Sequence, residues 1–362
     1  MSSKPTLLDM PKVVMDTILL HSDYSAFASL RKTNYELRKF ITETACKCSI
    51  PAVYIKKRQD SVVLKFRSKR DISASWQPFS TRGGQVNLEY VSHPKGCMVV
   101  IEKRKNRKTQ RLVKGEHYLD VFCADLKLIL DYPEKFVMEE FKIDFDMMVL
   151  EQLKKGQIKR FEDFMDVITH FLYFRPQLLR TEKFVMKIKL EEDVKTMLPL
   201  LDPAHLKKIK FIPMVPPKPI PGFYTSYLYL CSDFLTNIKQ WKTAEEMVIE
   251  GIHILGSVEG FLHFKKFEYR TSQIEFSMFE MMMENMLVGN DPERQFRILT
   301  DDTHLPMVQQ RYGASVDDKY YFDSPHSKLI LQVWAAKFSF EMKLIPRSEV
   351  PNNRTIRDFY NC

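Results

Sequence analysis

The 362-residue chain has little glycine and no long apolar run, and each absence excludes classes of protein. Glycine occurs 11 times, less than half its usual frequency of roughly 7%. The motifs that cradle phosphates or expose a nucleophilic serine are absent, namely G-x-G-x-x-G, G-x-x-x-x-G-K-[ST] and G-x-S-x-G. The apolar stretch from Thr6 to Leu20 is interrupted by Asp9, Lys12 and Asp16. It is therefore neither a signal-peptide core nor a membrane span.

Cysteine and histidine are too scattered to indicate a metal site. The six cysteines are Cys46, Cys48, Cys97, Cys123, Cys231 and Cys362. We expect unpaired thiols in a reducing compartment, cytoplasmic and/or nuclear. One residue separates Cys46 from Cys48, and no second pair follows at zinc-finger spacing. His170, His205 and His263 have no carboxylate or cysteine at motif spacing, so we predict no metal, no cofactor and no catalytic constellation.

The net charge of +9 is concentrated in one segment. Residues 51–120 contain 16 basic and 6 acidic side chains, and apolar residues alternate there, as in Val62, Leu64 and Phe66. This pattern predicts a small, mostly antiparallel β region up to about residue 130. The basic run at 103–108 has two interpretations: a nucleic-acid or nuclear-localisation patch, or a solvated hairpin tip whose lysines protect a strand edge. No aromatic side chain that could stack on bases lies within the run.

The first 48 residues favour three short helices. Pro11 suits the start of the first helix, which we expect to run to about His21. At about 100° per residue the helix has two apolar sides, a wide one and a narrow one. The wide side contains Val14, Met15, Ile18 and Leu19, and the narrow side contains Val13 and Leu20. A surface helix needs one apolar side for its own core, so the second is either covered by the chain or available to a partner.

These residues resemble an F-box. The resemblance lies in Leu8-Asp9-Met10-Pro11, Ile18-Leu19, Asp23-Tyr24, Leu30-Arg31-Lys32-Thr33-Asn34, Leu37-Arg38 and Phe40-Ile41. Met10 replaces the usual leucine before proline, and Leu37 replaces a common tryptophan. The resemblance implies that the chain docks on a Skp-type adaptor, which is held by a cullin scaffold. The contact residues that it implies are Pro11, Val14, Ile18, Leu19 and Leu30. The alternative is that these residues only pack a local helical core.

The C-terminal half alternates strands with helices. Strands are predicted to start near residues 184, 208, 246, 266 and 295, mostly some 20 to 30 residues apart, which is the scale of a strand–helix repeat. We expect a largely parallel sheet with helices on one face and a protein-binding surface on the other. A methionine-rich helix is predicted from Ser277 to Leu287, with Ser277 and Glu280 at capping-box spacing. Strands beyond about Asp301 are expected to close the end of the stack.

Three further strings resemble the FTH domain, a module that commonly follows an F-box. They are Met197-Leu198-Pro199-Leu200-Leu201-Asp202-Pro203-Ala204-His205-Leu206-Lys207-Lys208-Ile209, Gln240-Trp241-Lys242-Thr243-Ala244-Glu245, and His263-Phe264-Lys265-Lys266-Phe267. The resemblance covers roughly residues 135–300. It implies a domain that holds substrates, with no shared motif to define the binding residues.

The sequence therefore predicts an α+β protein in four parts. These are a three-helix F-box (1–48), a basic β-rich linking segment (49–134), a leucine-rich-repeat-like FTH domain (135–300) and closing C-terminal strands (301–362). The two resemblances together imply a non-catalytic substrate adaptor of an SCF-type ubiquitin ligase, whose substrate-binding residues are unknown. The alternatives are a nucleic-acid-associated protein that uses the 51–120 segment, and an F-box scaffold that acts outside a ligase. We expect no membrane contact.

Overall fold

The computed structural model describes residues 10–21, 40, 52–67, 85–103, 107–130, 137–146, 155–214, 228–255, 258–271, 275–300, 305–315, 317–325, 327–337 and 339–361. The chain divides into two compact units, Met1–Glu182 and Lys183–Cys362. Within the described ranges no helix is long and apolar enough to cross a membrane.

The first unit contains one described N-terminal helix and an antiparallel meander. Helix α1 spans Lys12–His21. The strands are β1 (Ala52–Lys57), β2 (Ser61–Arg67), β3 (Gln85–His93), β4 (Gly96–Lys103), β5 (Arg107–Lys114) and β6 (Met138–Phe145). Their order is β6-β1-β2-β3-β4-β5. Strands β1 to β5 pair antiparallel in sequence, and β6 pairs parallel with β1. The predicted antiparallel region is thus confirmed.

Two helices complete the first unit, α2 (Tyr118–Leu130) and α3 (Lys155–Tyr173). The prediction that the β region continues to about residue 130 is wrong, because its last 13 residues form α2. Leu119, Phe122, Leu126 and Ile129 are buried. Their spacing of three and four residues places them on one side of a helix, which lies against β2 and β3.

The second and third helices predicted for the N-terminal region fall outside the described residues, except for Phe40, which is helical and half-buried. Helix α1 begins one residue after the predicted start and ends at the predicted residue. The three-helix F-box therefore stays a prediction.

The second unit is built on five parallel strands. These are β7 (Thr181–Ile188), β8 (Lys208–Pro213), β10 (Glu246–Ile249), β12 (Lys266–Thr271) and β13 (Gln295–Thr300). Each pairs parallel with the next in that order. All five predicted repeat strands are confirmed. The short strands β9 (Tyr229–Cys231) and β11 (His253–Leu255) form a separate parallel pair.

Helical segments lie between the strands of the second unit. They are α4 (Glu191–Met197), a 3-10 turn (Leu198–Leu200), α5 (Ser232–Leu235), α6 (Lys239–Thr243), a second 3-10 turn (Val258–Phe261), α7 (Phe276–Val288) and α8 (Leu305–Tyr312). The predicted methionine helix is confirmed as α7, but its predicted capping box is wrong. Glu275 occupies the N-cap without a side-chain cap. Phe276 packs on Phe279 at 5.6 Å between ring centroids, which draws Phe276 into the first turn and places Ser277 inside the helix.

The C-terminal strands close the parallel array as expected. They are β14 (Lys319–Asp323), β15 (Leu329–Ala336), β16 (Ser339–Pro346) and β17 (Ile356–Arg357), with 3-10 turns at Arg347–Glu349 and Phe359–Asn361. Strand β16 pairs antiparallel with β13, and β15 and β14 continue outward. The last parallel strand is therefore covered by hydrogen-bonded chain, which removes an exposed edge at β13.

The core of the second unit lies on one side of this sheet. Residues that occupy the same register position on adjacent strands point to the same face. Phe184, Ile209, Met247, Phe267, Phe296 and Met342 form one such row, and each is at most 2% exposed. Met282, Met283 and Met286 of α7 are also buried, whereas Met278 and Met281 are half-buried, so this helix contributes part of its methionines to the core.

Candidate functional site

Helix α1 presents apolar side chains to solvent. The carbonyl of Pro11 accepts hydrogen bonds from the amides of Val14 and Met15 at 2.9 and 3.1 Å, so Pro11 is the N-cap. Val13 is 75% exposed and Val14 is 42% exposed, whereas Met15 is 2% exposed. Valine has a low helix propensity, so neither exposed valine is explained by helix stability alone.

The solvent exposure of the side chains of α1 depends on their angular position around the helix axis. Val13, Thr17 and Val14 lie within a sector of about 100° and are all exposed, while Ile18 beside them is half-buried. Met15, farther round, is buried. The wide apolar side predicted from the sequence is thus divided between a buried part at Met15 and an exposed part at Val14. We name the exposed residues Met10, Val13 and Val14 the valine patch.

The structure places only part of the predicted adaptor-binding set. Val14 and Ile18 lie on α1, and Pro11 is its N-cap. The side chain of Leu19 and all of Leu30 fall outside the described residues. Val13 was not in the predicted set. The sequence pattern did place it on the narrow apolar side of the helix, which is the signal that could have identified it.

The described residues of the basic run at 103–108 lie at the end of β4 and the start of β5. Lys103 pairs with Arg107 across β4 and β5, and β5 is the end strand of the order given above. Lys108, Arg111 and Lys114 of β5 are exposed. Charged side chains on an end strand oppose edge-to-edge pairing with other chains. This placement supports the edge-protection interpretation of the run.

The three strings that carry the FTH resemblance join adjacent repeats of the second unit. The buried amide of Gln240 donates to the carbonyls of Pro199 and Leu201, at 3.1 and 2.7 Å. Thr243 Oγ1 donates to the carbonyl of Pro203 at 3.0 Å. These contacts tie the second string to the first.

The third string is tied to the second in the same way. Trp241 Nε1 donates to the carbonyl of Gly260 at 2.9 Å, and His263 Nε2 lies 2.9 Å from the carbonyl oxygen of Trp241. The Trp241 and Phe264 rings pack edge to face at 5.1 Å. Burial lowers the pKa of His263, although hydrogen bonds to Trp241 and Gly260 oppose the shift. The residues of the resemblance therefore position the repeats.

The face of the parallel sheet opposite the core is charged. Two register rows cross it, and we name them together the ladder face. The first row is Lys183, Lys208, Glu246, Lys266, Gln295 and Lys343. The second row is Val185, Lys210, Val248, Glu268, Arg297, Glu341, Trp334 and Lys319.

Two carboxylates of the ladder face form ion pairs with neighbouring cations. Glu246 is 2.6 Å from Lys208 Nζ and 3.5 Å from Lys266 Nζ. Partial burial alone would raise the pKa of Glu246, but the hydrogen bond and charge of Lys208, together with Lys266, lower it below its usual range. Glu268 lies 3.7 Å from Arg297. Glutamate here orders neighbouring lysine and arginine side chains along the sheet.

A tryptophan lies within the second row. Trp334 is 38% exposed and pairs with Glu341 on one side and Lys319 on the other. Farther along the same strands, Tyr321, Ile330 and Ile345 form a small cluster on this face, covered by Val350 and Ile356. The C-terminal segment thus covers its own apolar residues but leaves Trp334 open.

The cysteines in the described ranges and His205 have structural surroundings. Burial raises the pKa of Cys97 and Cys123 to about 11, so both are protonated thiols near neutral pH. Cys97, Cys123 and Cys231, the cysteines in the described ranges, are unpaired as predicted. Contrary to the sequence reading, His205 has a nearby carboxylate, with Nδ1 at 3.1 Å from Asp202. Asp202 also accepts from the amide of Ala204, as in a local turn.

Comparison with known families identifies the FTH domain at residues 162–310. The chain therefore carries this domain, which is associated with F-box proteins and belongs to a family that is generally non-catalytic. The same comparison returns no F-box match. No curated protein and no solved structure matches the chain.

Proposed function

We propose that this chain is the substrate-recognition adaptor of an SCF-type ubiquitin ligase. In this role the N-terminal 48 residues dock on a Skp-type adaptor, and through it on a cullin scaffold. The FTH domain holds a protein substrate for ubiquitin-dependent degradation. The chain supplies no chemistry of its own. It raises the effective concentration of a substrate lysine near a ubiquitin carrier that a partner enzyme provides.

The valine patch is the observation that carries the docking half of the proposal. Val13 and Val14 are exposed on one helix, next to Pro11 and Ile18. Burying an exposed valine side chain against a partner contributes roughly 1.5 kcal/mol or more. The docking set we propose is Pro11, Val14, Ile18, Leu19 and Leu30, extended by Val13.

The FTH match supports the substrate-binding half. That domain is associated with F-box proteins, and the unit that contains most of it has a charged sheet face, the ladder face, whose charged side chains are half-buried or exposed. We propose the part boundaries 1–48, 49–134, 135–300 and 301–362 for the docking module, the linking segment, the FTH domain and the closing strands.

Co-expression with a Skp-type adaptor tests the docking half directly. We expect a 1:1 complex on size-exclusion chromatography, lost in Val14→Asp, because a carboxylate cannot be buried in an apolar interface without a partner. Val14 is exposed in the free chain, so this substitution leaves the fold intact. Circular dichroism checks that it does.

Lys12→Asp is the matched control. Lys12 is exposed on the same helix, about 160° around it from Val14 and about 10 Å along it from Leu19, so we expect a carboxylate there to leave the complex intact. Retained binding by Val14→Asp, or equal loss in both variants, contradicts the docking assignment. Adding the cullin scaffold then separates a ligase subunit from a scaffold that binds the adaptor alone.

A further inference from the structure

We infer that the ladder face binds an acidic segment of a partner protein, with Trp334 as the apolar anchor. This inference rests on the proposed function, in which that partner is the substrate. It assigns the binding face and the chemical class of the partner, neither of which the sequence motifs define.

The two rows of the ladder face have an excess of positive charge. The two rows contain seven cationic side chains and three carboxylates. The cations are Lys183, Lys208, Lys210, Lys266, Arg297, Lys319 and Lys343, and the carboxylates are Glu246, Glu268 and Glu341. The net charge of these two rows is +4, and Lys210 is also ion-paired with Glu250, just beyond the second row. Residues 121–362 as a whole contain 32 basic and 35 acidic side chains. A surface of this sign attracts and orients carboxylates.

The arrangement of these charges favours protein over nucleic acid. Glu246 lies between Lys208 and Lys266, and Glu268 lies beside Arg297. A phosphate backbone carries charge at every nucleotide and would meet these carboxylates wherever it crossed the rows. A polypeptide can place aspartate and glutamate opposite the cations and uncharged residues opposite Glu246 and Glu268.

Trp334 supplies the anchor. Its side chain is 38% exposed on β15, which is hydrogen-bonded on both sides by β14 and β16. A tryptophan on a rigid strand loses little conformational freedom on binding, and tryptophan is enriched among residues that dominate interface energies. Glu341 and Lys319 flank it in the row, giving the polar rim that surrounds such anchors.

The rows also set the length of the partner segment. Six strand-to-strand steps separate β7 from β15 in the second unit's sheet order, about 29 Å at the usual spacing. An extended chain of about nine residues covers that distance. A segment of this length reaches from Lys183 to Trp334.

Fluorescence anisotropy with the full chain tests the inference. The probe is a fluorescein-labelled peptide of about 16 residues in which half the residues are Asp or Glu and the rest are Leu and Ser. Its control replaces every Asp and Glu with Asn and Gln. We expect the acidic probe to bind at least about tenfold more tightly than the neutral one, with affinity that falls as salt rises.

Two variants of the face locate the site. Trp334→Ala and the pair Lys266→Gln with Lys319→Gln are each expected to weaken the acidic probe at least about tenfold. The matched control pair is Lys239→Gln with Lys242→Gln, which removes two exposed charges from α6 and leaves affinity unchanged. Equal binding of the two probes, or equal binding by face and control variants, overturns the inference.

Two further readouts separate the alternatives. Tighter binding of a single-stranded oligonucleotide at this face, with loss in the same variants, would overturn the inference in favour of nucleic acid. Each variant is also assayed for the Skp-type adaptor complex. If the chain binds the adaptor but shows no preference for the acidic probe, the inference is wrong and the proposed function is not affected. If the chain prefers the acidic probe but does not bind the adaptor, the proposed ligase role is wrong and only the binding of acidic segments by the ladder face is supported.

Discussion

Replacing Gln240 with methionine is expected to loosen the junction between two repeats of the FTH domain. Gln240 is 6% exposed, and its amide donates to the carbonyls of Pro199 and Leu201. Methionine has nearly the same length and no donor, so Gln240→Met preserves packing while both acceptors lose a partner. The bond to Leu201 is buried, and its loss costs about 1–3 kcal/mol. The bond to Pro199 is partly buried, and water recovers part of it.

The expected total is about 2–4 kcal/mol in the free energy of unfolding. For a unit of 150–250 residues this corresponds to a fall in Tm of roughly 5–15 °C. Trp241, the adjacent residue, is fully buried and reports on the junction. The measurement is urea unfolding followed by tryptophan fluorescence, in a background where Trp76 and Trp334 are replaced by phenylalanine.

Lys239→Met is the control for this experiment. Lys239 is exposed in the same short helix and receives the same new side chain, so we expect a change within about 0.5 kcal/mol. The reasoning is refuted if Gln240→Met is no more destabilising than this control while the denaturant slope stays constant.

Three further substitutions test other parts of the structure. Gly96 has a φ of +136°, and a Cβ there would lie 2.1 Å from the Val113 carbonyl oxygen, so Gly96→Ala is expected to cost several kcal/mol in thermal unfolding of the first unit; an unchanged Tm contradicts this. The guanidinium of Arg294 donates to the carbonyl oxygens of Leu262 and Asn285 and to the side-chain oxygen of Asn285. Arg294→Lys is therefore expected to lower the free energy of unfolding in urea by about 2–4 kcal/mol. A loss below about 0.5 kcal/mol would show that these guanidinium hydrogen bonds are dispensable. Because the pKa of Glu246 is lowered in the folded chain, its ion pairs stabilise above the unfolded glutamate pKa of about 4.3 and lose their effect as pH falls through the lower folded value. Glu246→Gln should therefore cost under about 1 kcal/mol at pH 7 and nothing once the pH is below the lowered folded pKa of Glu246. A cost that persists in acid argues against ion pairing.

Local alternation was enough to place most strands. In the first four residues of β8 and of β13, polar residues alternate with apolar ones, and burial alternates in step. A strand exposes successive side chains to opposite faces, so its period is readable without knowing its neighbours. Helix α2 was not predicted, because the alternating pattern of the preceding strands was taken to continue to about residue 130. The spacing of Leu119, Phe122 and Leu126 in α2 is helical.

The predicted capping box at Ser277 failed for a tertiary reason. Ser277 and Glu280 have the right spacing, but Phe276 packs on Phe279 and lies 6.3 Å from Tyr312, centroid to centroid. These aromatic contacts start the helix at Phe276. Packing against distant residues thus overrode a local signal worth about 1 kcal/mol.

The sequence by itself determined the five repeat strands, the FTH strings and the apolar character of α1, because each depends on residues close together in the chain. Tertiary structure alone decided which of these residues face solvent. Met15 and Val14 are neighbours of equal apolar character, yet one is 2% and the other 42% exposed. Likewise, Trp334 joins Arg297 and Lys210 in one row only through the register of strands far apart in sequence. Register depends on pairing between strands, and a slip of one residue would send Trp334 to the opposite face.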